Sequence, residues 1–497
     1  MAGKKIIIVG AGPGGFAAGM LLANQGYDVT IYEKQDYVGG RNASIQMGDY
    51  TFDMGPTFFM MIDVLERIFK KCGKKMEDYI QITQLDPMYR LKFGEGRELY
   101  PSPDPDKMKA TLESFAKGSY KGYLKYLKKE KKKYNKLIPC LEMPYGSFRD
   151  YLSWQFISSL PVLDAHTTLY RVLKRYFNDP DVCIAFTFQA KYIGMSPWKA
   201  PGIFSIISYI EHGGGIYHVI GGLNKLSKGM MKAFEEDGGI VHTATPVKQI
   251  LIENKTAVGV ELEDGTKEMA DYVVINADFA HAMQNLVPSE KRKKYTDAAL
   301  EKKKYSCSTF MLYLGMNKTY PDIPHHSIVF SSDYKKNVEE ITTGRILSED
   351  PSFYVQNACV TDSTLAPKGK STLYVLVPIP NNKSGINWQN EKGPFREKIL
   401  NLLETRGGYT DVCNHIEEEM IITPEDWEKD KLVYKGATFN LAHNMGQMLL
   451  ARPHNRFEEF KNCFLVGGGT HPGSGLPTIY ESGRISAELI MKEDGLI

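Results

Sequence analysis

The stretch KIIIVGAGPGGFAAGMLLANQGYDVTIYE, residues 5–33, decides the fold. Ile6-Ile7-Ile8-Val9 is a continuous β-branched run, the pattern of a strand covered on both faces in a parallel sheet. It runs into Gly10-Ala11-Gly12-Pro13-Gly14-Gly15, a G-x-G-x-x-G at Gly10, Gly12 and Gly15. There the first glycine permits a tight turn, the second lets a pyrophosphate approach the backbone, and the third lets the next helix pack closely on the sheet. Phe16 to Asn24 is rich in helix formers and Gly26 ends it. Val29-Thr30-Ile31-Tyr32 predicts a second strand, closing on Glu33 at about the spacing where a carboxylate takes ribose hydroxyls. A lone glycine motif says little. Strand, loop, helix, strand and terminal acid in this order predict a dinucleotide site, and an acid at 33 argues against a 2′-phosphate on the ribose.

Outward from this unit, Gly39-Gly40-Arg41 lets the chain turn back over the nucleotide, with Arg41 able to face phosphate or ribose oxygens. Phe52-Asp53-Met54-Gly55-Pro56-Thr57 follows. Near the other terminus Phe464-Leu465-Val466 predicts a short strand entering the segment GGGTHPGSGLP, 467–477. A helix is expected from near Thr478 to about Met491, with Thr478 and Glu481 spaced as in a capping box. A second glycine-rich turn thus precedes a second helix N-terminus, which favours negative charge such as that of a reduced flavin. Residues 240–278 read as a β-meander with a hairpin turn at Asp264-Gly265, a strand from Val247, and another over Tyr272 to Ile275.

The bulk properties narrow the class. A chain of 497 residues, 42% of them hydrophobic, is long enough for two or more domains. A formal net charge of +2 argues against nucleic acid as a partner. Seven scattered cysteines without a CxxC pair point to reduced thiols in a cytosolic protein, with no metal site. The apolar run Ile6 to Val9 is too short for a signal-peptide core, and no stretch of about 18 apolar residues predicts a spanning helix.

With both glycine-rich segments in view, the chain resembles the bacterial carotenoid desaturases of the phytoene desaturase family. The matching pieces are GAGPGG with Glu33, GGR at 39–41, FDMGPT at 52–57 and GGGTHPGSGLP at 467–477. Gly194 to Pro201 and Gly221-Gly222-Leu223 with Leu226 also match. The resemblance covers essentially the whole chain. Its N-terminal motif is shared by many flavoproteins, whereas the THPG-x-G-x-P segment is more specific. Ser474 stands where alanine is common. Residues 52–61 and Tyr305 to Ser308 are similar to the branch that acts on thirty-carbon 4,4′-diapophytoene.

The resemblance implies an α/β fold: a discontinuous Rossmann-type FAD-binding domain, a mixed sheet and helical substrate domain, and a helical membrane-associated part. The FAD domain would comprise 1–85, 215–285 and 435–497; residues 86–214 would form the helical substrate and membrane-associated region, and 286–434 the substrate domain. The implied FAD site comprises Gly10, Gly12, Pro13, Gly14, Gly15, Glu33, Lys34, Gly40, Arg41, Gly55, Pro56, Thr57, Val247, Gly468, Gly475 and Leu476, with Val247 facing the adenine.

Residues 121–136 carry eight lysines among tyrosines and leucines at near-helical spacing, and Phe148, Trp154 and Phe156 follow. Such a helix is either a solvated face or one that rests on anionic lipid. A lipid-soluble substrate favours the second, and with it a peripheral position on the cytoplasmic membrane face. Gly202 to Ile210 is apolar nearly all round, a core helix or a tunnel wall.

Desaturation passes a hydride to the flavin and releases a proton from the neighbouring carbon, so it needs little acid–base machinery. Glu211, His212 and His471 are the candidates for taking that proton, and the electron acceptor would be a quinone or oxygen. The alternatives are a forty-carbon phytoene desaturase, a carotenoid isomerase or oxygenase of the same family, an amine oxidase relative, and a flavin-free prenyl-binding chaperone like the Rab GDP-dissociation inhibitors.

Overall fold

The computed structural model describes residues 3–497; Met1 and Ala2, the start of the expected FAD domain, lie outside the described residues. A five-stranded parallel sheet has the order Cys463–Leu465, Tyr272–Ile275, Lys5–Val9, Asp28–Tyr32, Ile240–His242. Its strands come from three distant stretches of the chain. The run Ile6 to Val9 is buried on both faces, as its unbroken β-branching requires. Ile6 and Ile8 pack among the helices, while Ile7 and Val9 pack with Ile250 and Val260 of a three-stranded antiparallel sheet.

The helix Pro13–Asn24 is buried at every position but its last. It packs on the C-terminal helix Leu476–Glu493, and glycines set how closely. A Cβ on Gly483 would lie 2.4 Å from the Gly14 carbonyl oxygen, and one on Gly14 would lie 2.5 Å from Val466 Cγ1. The C-terminal helix starts at Leu476 with no side-chain cap, which corrects the expected capping box. Thr478 Oγ1 instead donates to the carbonyls of Gly473 and Gly475, and Glu481 is taken by Arg67 and Arg484. Ile240–His242 is likewise an edge of the parallel sheet, not part of the meander, which consists of Val247–Glu253, Thr256–Leu262 and Lys267–Met269.

A seven-stranded mixed sheet lies beyond, in the order Ile416–Ile422, Ser308–Met316, Ser371–Ile379, Phe353–Gln356, His326–Val329, Arg90–Lys92, Glu98–Leu99. Its last two strands come from the stretch read from sequence as helical. Strand alternation divides its faces. Phe310, Leu312, Val375 and Val377 pack on Trp388 and Ile399 of the helix Trp388–Leu402. Met311, Tyr313 and Tyr374 face the other way, toward the hairpin Ser44–Met47 and Tyr50–Asp53.

The lysine-rich segment is the helix Ser119–Leu141. Seven of its eight lysines are exposed, but Lys133 is wholly buried, a correction to the reading of the run as one solvated or lipid-facing surface. Lys133 Nζ reaches Glu130 Oε1 at 3.0 Å, Ser205 Oγ at 2.7 Å and Asp164 Oδ2 at 3.1 Å. This buried cluster fastens the helix to the start of the helix Ser205–Gly214. Among the described residues no helix is long and apolar enough to cross a membrane.

Candidate active site

Between the two large sheets lies one cavity of about 1050 Å³. Part of its wall is the first glycine loop: Gly10, Gly12 and Pro13, with Glu33 and Lys34 at the end of the second strand. Each Glu33 oxygen accepts a backbone N–H, Oε2 from Ala11 at 2.8 Å and Oε1 from Gln35 at 2.9 Å. Burial pushes its carboxyl up, opposed by these hydrogen bonds. The carboxylate is thus fixed toward the cavity with lone pairs left for hydroxyl donors. The helix Pro13–Asn24 has Gly12 at its N-cap and no capping side chain, so its first N–H groups and dipole are available to an anion. These features fit a dinucleotide.

Gly40, Arg41, Gly55, Pro56, Thr57, Val247, Gly468, Gly475 and Leu476 line the same cavity. Arg41 Nη1 donates to the Thr438 carbonyl at 2.7 Å, and its Nη2 lies 3.7 Å from Asp278 Oδ2. Tyr374 donates to the Gly55 carbonyl at 2.6 Å. The Thr57 hydroxyl meets Tyr354 Oη at 2.8 Å, and Tyr354 in turn meets His326 Nδ1 at 2.7 Å. Gly14 and Gly15 do not line the cavity; both make room for neighbouring chain. A Cβ on Gly15 would lie 2.5 Å from the Gly10 carbonyl oxygen and 2.6 Å from Asn276 Nδ2.

Asn276 was not singled out from sequence. Its Nδ2 donates to the Gly10 carbonyl at 2.7 Å from the neighbouring strand's end. It is also the atom nearest to a Cβ built on Gly12, at 3.1 Å. The glycines therefore answer to Asn276 as well as to any phosphate. His443, also missed, lines the cavity and accepts from Ser474 N at 3.1 Å.

Another part of the wall is largely apolar. Ile203, Ile206, Ile207 and Ile210 face Leu137, Leu141, Leu160 and Leu163 there, so the segment 202–210 is a cavity wall. Thr309, Met311, Ile328 and Leu376 contribute from the seven-stranded sheet.

None of the three residues considered as proton acceptors lines this cavity. Glu211 is wholly buried, accepting from Gln189 Nε2 at 2.7 Å and Tyr89 Oη at 3.1 Å; burial pushes its carboxyl up to about 8. His212 stacks on Phe186, and burial pushes it down to about 3. His471 faces Tyr145, with Nε2 at 3.1 Å from the Leu141 carbonyl oxygen, and burial pushes it down to about 4. An apolar helix face and a glycine-rich loop turn these polar groups inward, into packing rather than toward the cavity.

A nucleotide wall opening into a large apolar chamber defines a dinucleotide-dependent oxidoreductase. The chain belongs to the flavin-containing amine oxidoreductase family, whose profile matches residues 13–491, and within it to the carotenoid desaturases. FAD is its cofactor. It is 50% identical over 490 residues to a 4,4′-diapophytoene desaturase (4,4′-diapolycopene-forming) from Methylomonas sp, covering 99% of this chain and 96% of that one. It is 39% identical over 502 residues to an all-trans-zeta-carotene desaturase from Myxococcus xanthus, covering 99% and 94%. The solved cyclohexylamine oxidase from Brevibacterium oxydans IH-35A shares the fold, with a TM-score of 0.61 at 16% identity over 99% of this chain and 100% of that one.

Proposed function

We propose that this protein desaturates a linear carotenoid precursor, 4,4′-diapophytoene, drawn from a membrane surface. One observation carries the reading: a single cavity joins the nucleotide loop to the isoleucine and leucine wall. A long hydrocarbon entering along that wall would meet a cofactor held on the glycine loops. The relative at 50% identity, named for 4,4′-diapophytoene, supports the thirty-carbon substrate over a forty-carbon one.

In this reading the FAD-binding domain comprises 1–85, 215–285 and 435–497. Glu33 takes ribose hydroxyls, and Gly12, Gly40 and Arg41 face the pyrophosphate. Val247 faces the adenine, while Gly55 to Thr57, Gly468, Gly475 and Leu476 surround the ring system. Bound FAD supplies the hydride acceptor. The apolar wall excludes water, which would otherwise add to a cationic polyene before its proton is lost. Neither glutamate nor histidine of the packed core is needed in contact with substrate.

The membrane-facing part is the segment 119–160. Phe148 is 80% exposed and Trp154 75%, with Leu152, Ile157 and Leu160 also exposed. Seven exposed lysines lie on the adjoining helix. Leu160 both faces outward and lines the cavity, so the apolar surface is continuous with the substrate chamber. A quinone or oxygen would then reoxidise the flavin.

The test is expression in cells that make only 4,4′-diapophytoene, and separately in cells that make only phytoene, with product spectra read from each. Coloured polyenes in the first and few in the second are expected. Colour only with phytoene would shift the substrate to forty carbons, and flavin-loaded protein that colours neither would remove desaturation.

A further inference from the structure

Arg452 is wholly buried, and the hydrogen bonds of its guanidinium end on backbone carbonyl oxygens. Its Nε donates to Thr470 at 3.1 Å, its Nη1 to Gln447 at 3.3 Å, and its Nη2 to Gly468. Among the described residues no carboxylate forms an ion pair with it. Burial makes His471 and Lys303 less basic, and the charge of Arg452 adds to that effect at both. A buried guanidinium ordinarily has an anionic partner, because desolvating an unpaired charge is strongly unfavourable. Tying down a loop needs only neutral donors, which would avoid that penalty.

The loop it holds is the one that lines the cavity through Gly467, Gly468, Gly473 and Gly475. At its end the helix Leu476–Glu493 begins without a capping side chain, so its dipole adds potential of the same sign. Two sources of positive potential converge behind one stretch of cavity wall, and among the described residues no carboxylate pairs with Arg452.

We propose that Arg452 is a positioning residue for the redox chemistry: its buried charge, acting through the loop 467–475, stabilises the negative charge of the reduced flavin and strengthens the flavin as a hydride acceptor. The inference rests on the reading that FAD lies against this loop. A fixed, desolvated charge aimed at developing negative charge is effective because nothing must reorganise when that charge appears.

The test uses FAD-loaded full-length protein and the variants Arg452→Gln, Arg452→Lys and Gly468→Val. The readouts are flavin content, the reduction potential by equilibration with a redox dye, and the affinity of the bound flavin for sulfite, seen as bleaching of its visible absorbance. Arg452→Gln should lower the reduction equilibrium constant at least about tenfold, about 30 mV for a two-electron couple, and weaken sulfite binding in parallel. Arg452→Lys keeps the charge with fewer donors and should stay within about threefold of the parent in both.

A potential unchanged in Arg452→Gln overturns the proposal, as does Arg452→Lys falling as far as Arg452→Gln. Should Arg452→Gln retain no flavin, the parent and Arg452→Lys decide: both must bind sulfite, and a parent flavin indifferent to sulfite overturns the proposal. Gly468→Val separates the underlying reading. Full flavin content in that variant removes FAD from the loop and the proposal with it. Loss of flavin there, with the potential of Arg452→Gln unchanged, removes only the role of Arg452.

Discussion

Replacing Lys133 by Met should destabilise the protein far more than the same change at Lys132, its neighbour in the lysine run. Lys132 is exposed, and its removal should fall within about 0.5 kcal/mol. Lys133 sits among Glu130, Asp164 and Arg175, with Lys129 at the edge, so two carboxylates face three cations. Glu130 is 0% exposed, and without Lys133 it keeps only the hydrogen bond donated by Ser205 Oγ at 2.7 Å. Breaking a buried pair from one side typically costs about 3–5 kcal/mol. Asp164 retains Arg175 at 2.6 Å, so most of the loss belongs to Glu130. Removing both partners, in Lys133→Met with Glu130→Leu, should recover most of it, because apolar replacement of a buried pair is often neutral. Urea denaturation followed by flavin release provides the comparison. Equal stabilities for the Lys132 and Lys133 variants, or a double variant as weak as the single one, would refute the buried cluster.

Three further outcomes follow from the same contacts. Glu211 has its carboxyl raised to about 8 by burial, so the native state holds a proton that the unfolded chain releases near 4.5; stability should fall as pH rises between these values. Glu211→Gln should flatten that alkaline limb, by up to about 1.4 kcal/mol per pH unit, in denaturation series across pH. Asn276→Leu leaves the Gly10 carbonyl without its side-chain donor, a loss of about 1–3 kcal/mol, and should lower FAD affinity at least about tenfold in equilibrium dialysis. Glutamates at 128, 129, 131 and 132, with Lys133 kept, should reduce flotation with anionic liposomes at low salt, at roughly 1 kcal/mol per lysine near the surface. Trp154→Ser with Phe148→Ser should reduce the part that survives high salt, and unchanged flotation in both variants would remove this segment as the membrane contact.

What the sequence made legible was local and periodic. The run from Ile6 through Glu33 specifies strand, turn, helix and strand because each residue type has one comfortable place there, and the observed Pro13–Asn24 and Asp28–Tyr32 follow it closely. What stayed hidden depends on partners far along the chain. Asn276 lies 266 positions from the Gly10 carbonyl it serves, and nothing in Ile275-Asn276-Ala277 marks it. Lys133 looks like its neighbours in a run of lysines; only helical phase sets it apart, one turn from buried Glu130 and two from buried Tyr126 on the packed face. The proposed capping box failed because the helix begins at Leu476, which puts Thr478 inside its first turn rather than at its N-cap, with Thr478 and Glu481 bonded elsewhere. Short strands such as Arg90–Lys92 carry too few residues for a period to register. Glu211 and His212 are of the right chemical type to take a proton, yet the environment that buries them also keeps them from the cavity.

In the proposed function one chamber brings a long hydrocarbon to FAD. The direct measurement is a single anaerobic turnover: FAD-loaded protein is mixed with liposomes containing 4,4′-diapophytoene while flavin and polyene absorbance are recorded together. Bleaching of the flavin in step with the appearance of polyene, one double bond for each flavin reduced, is the expected result. Polyene formation without flavin bleaching, or a flavin that stays oxidised while the precursor remains unchanged, would contradict it.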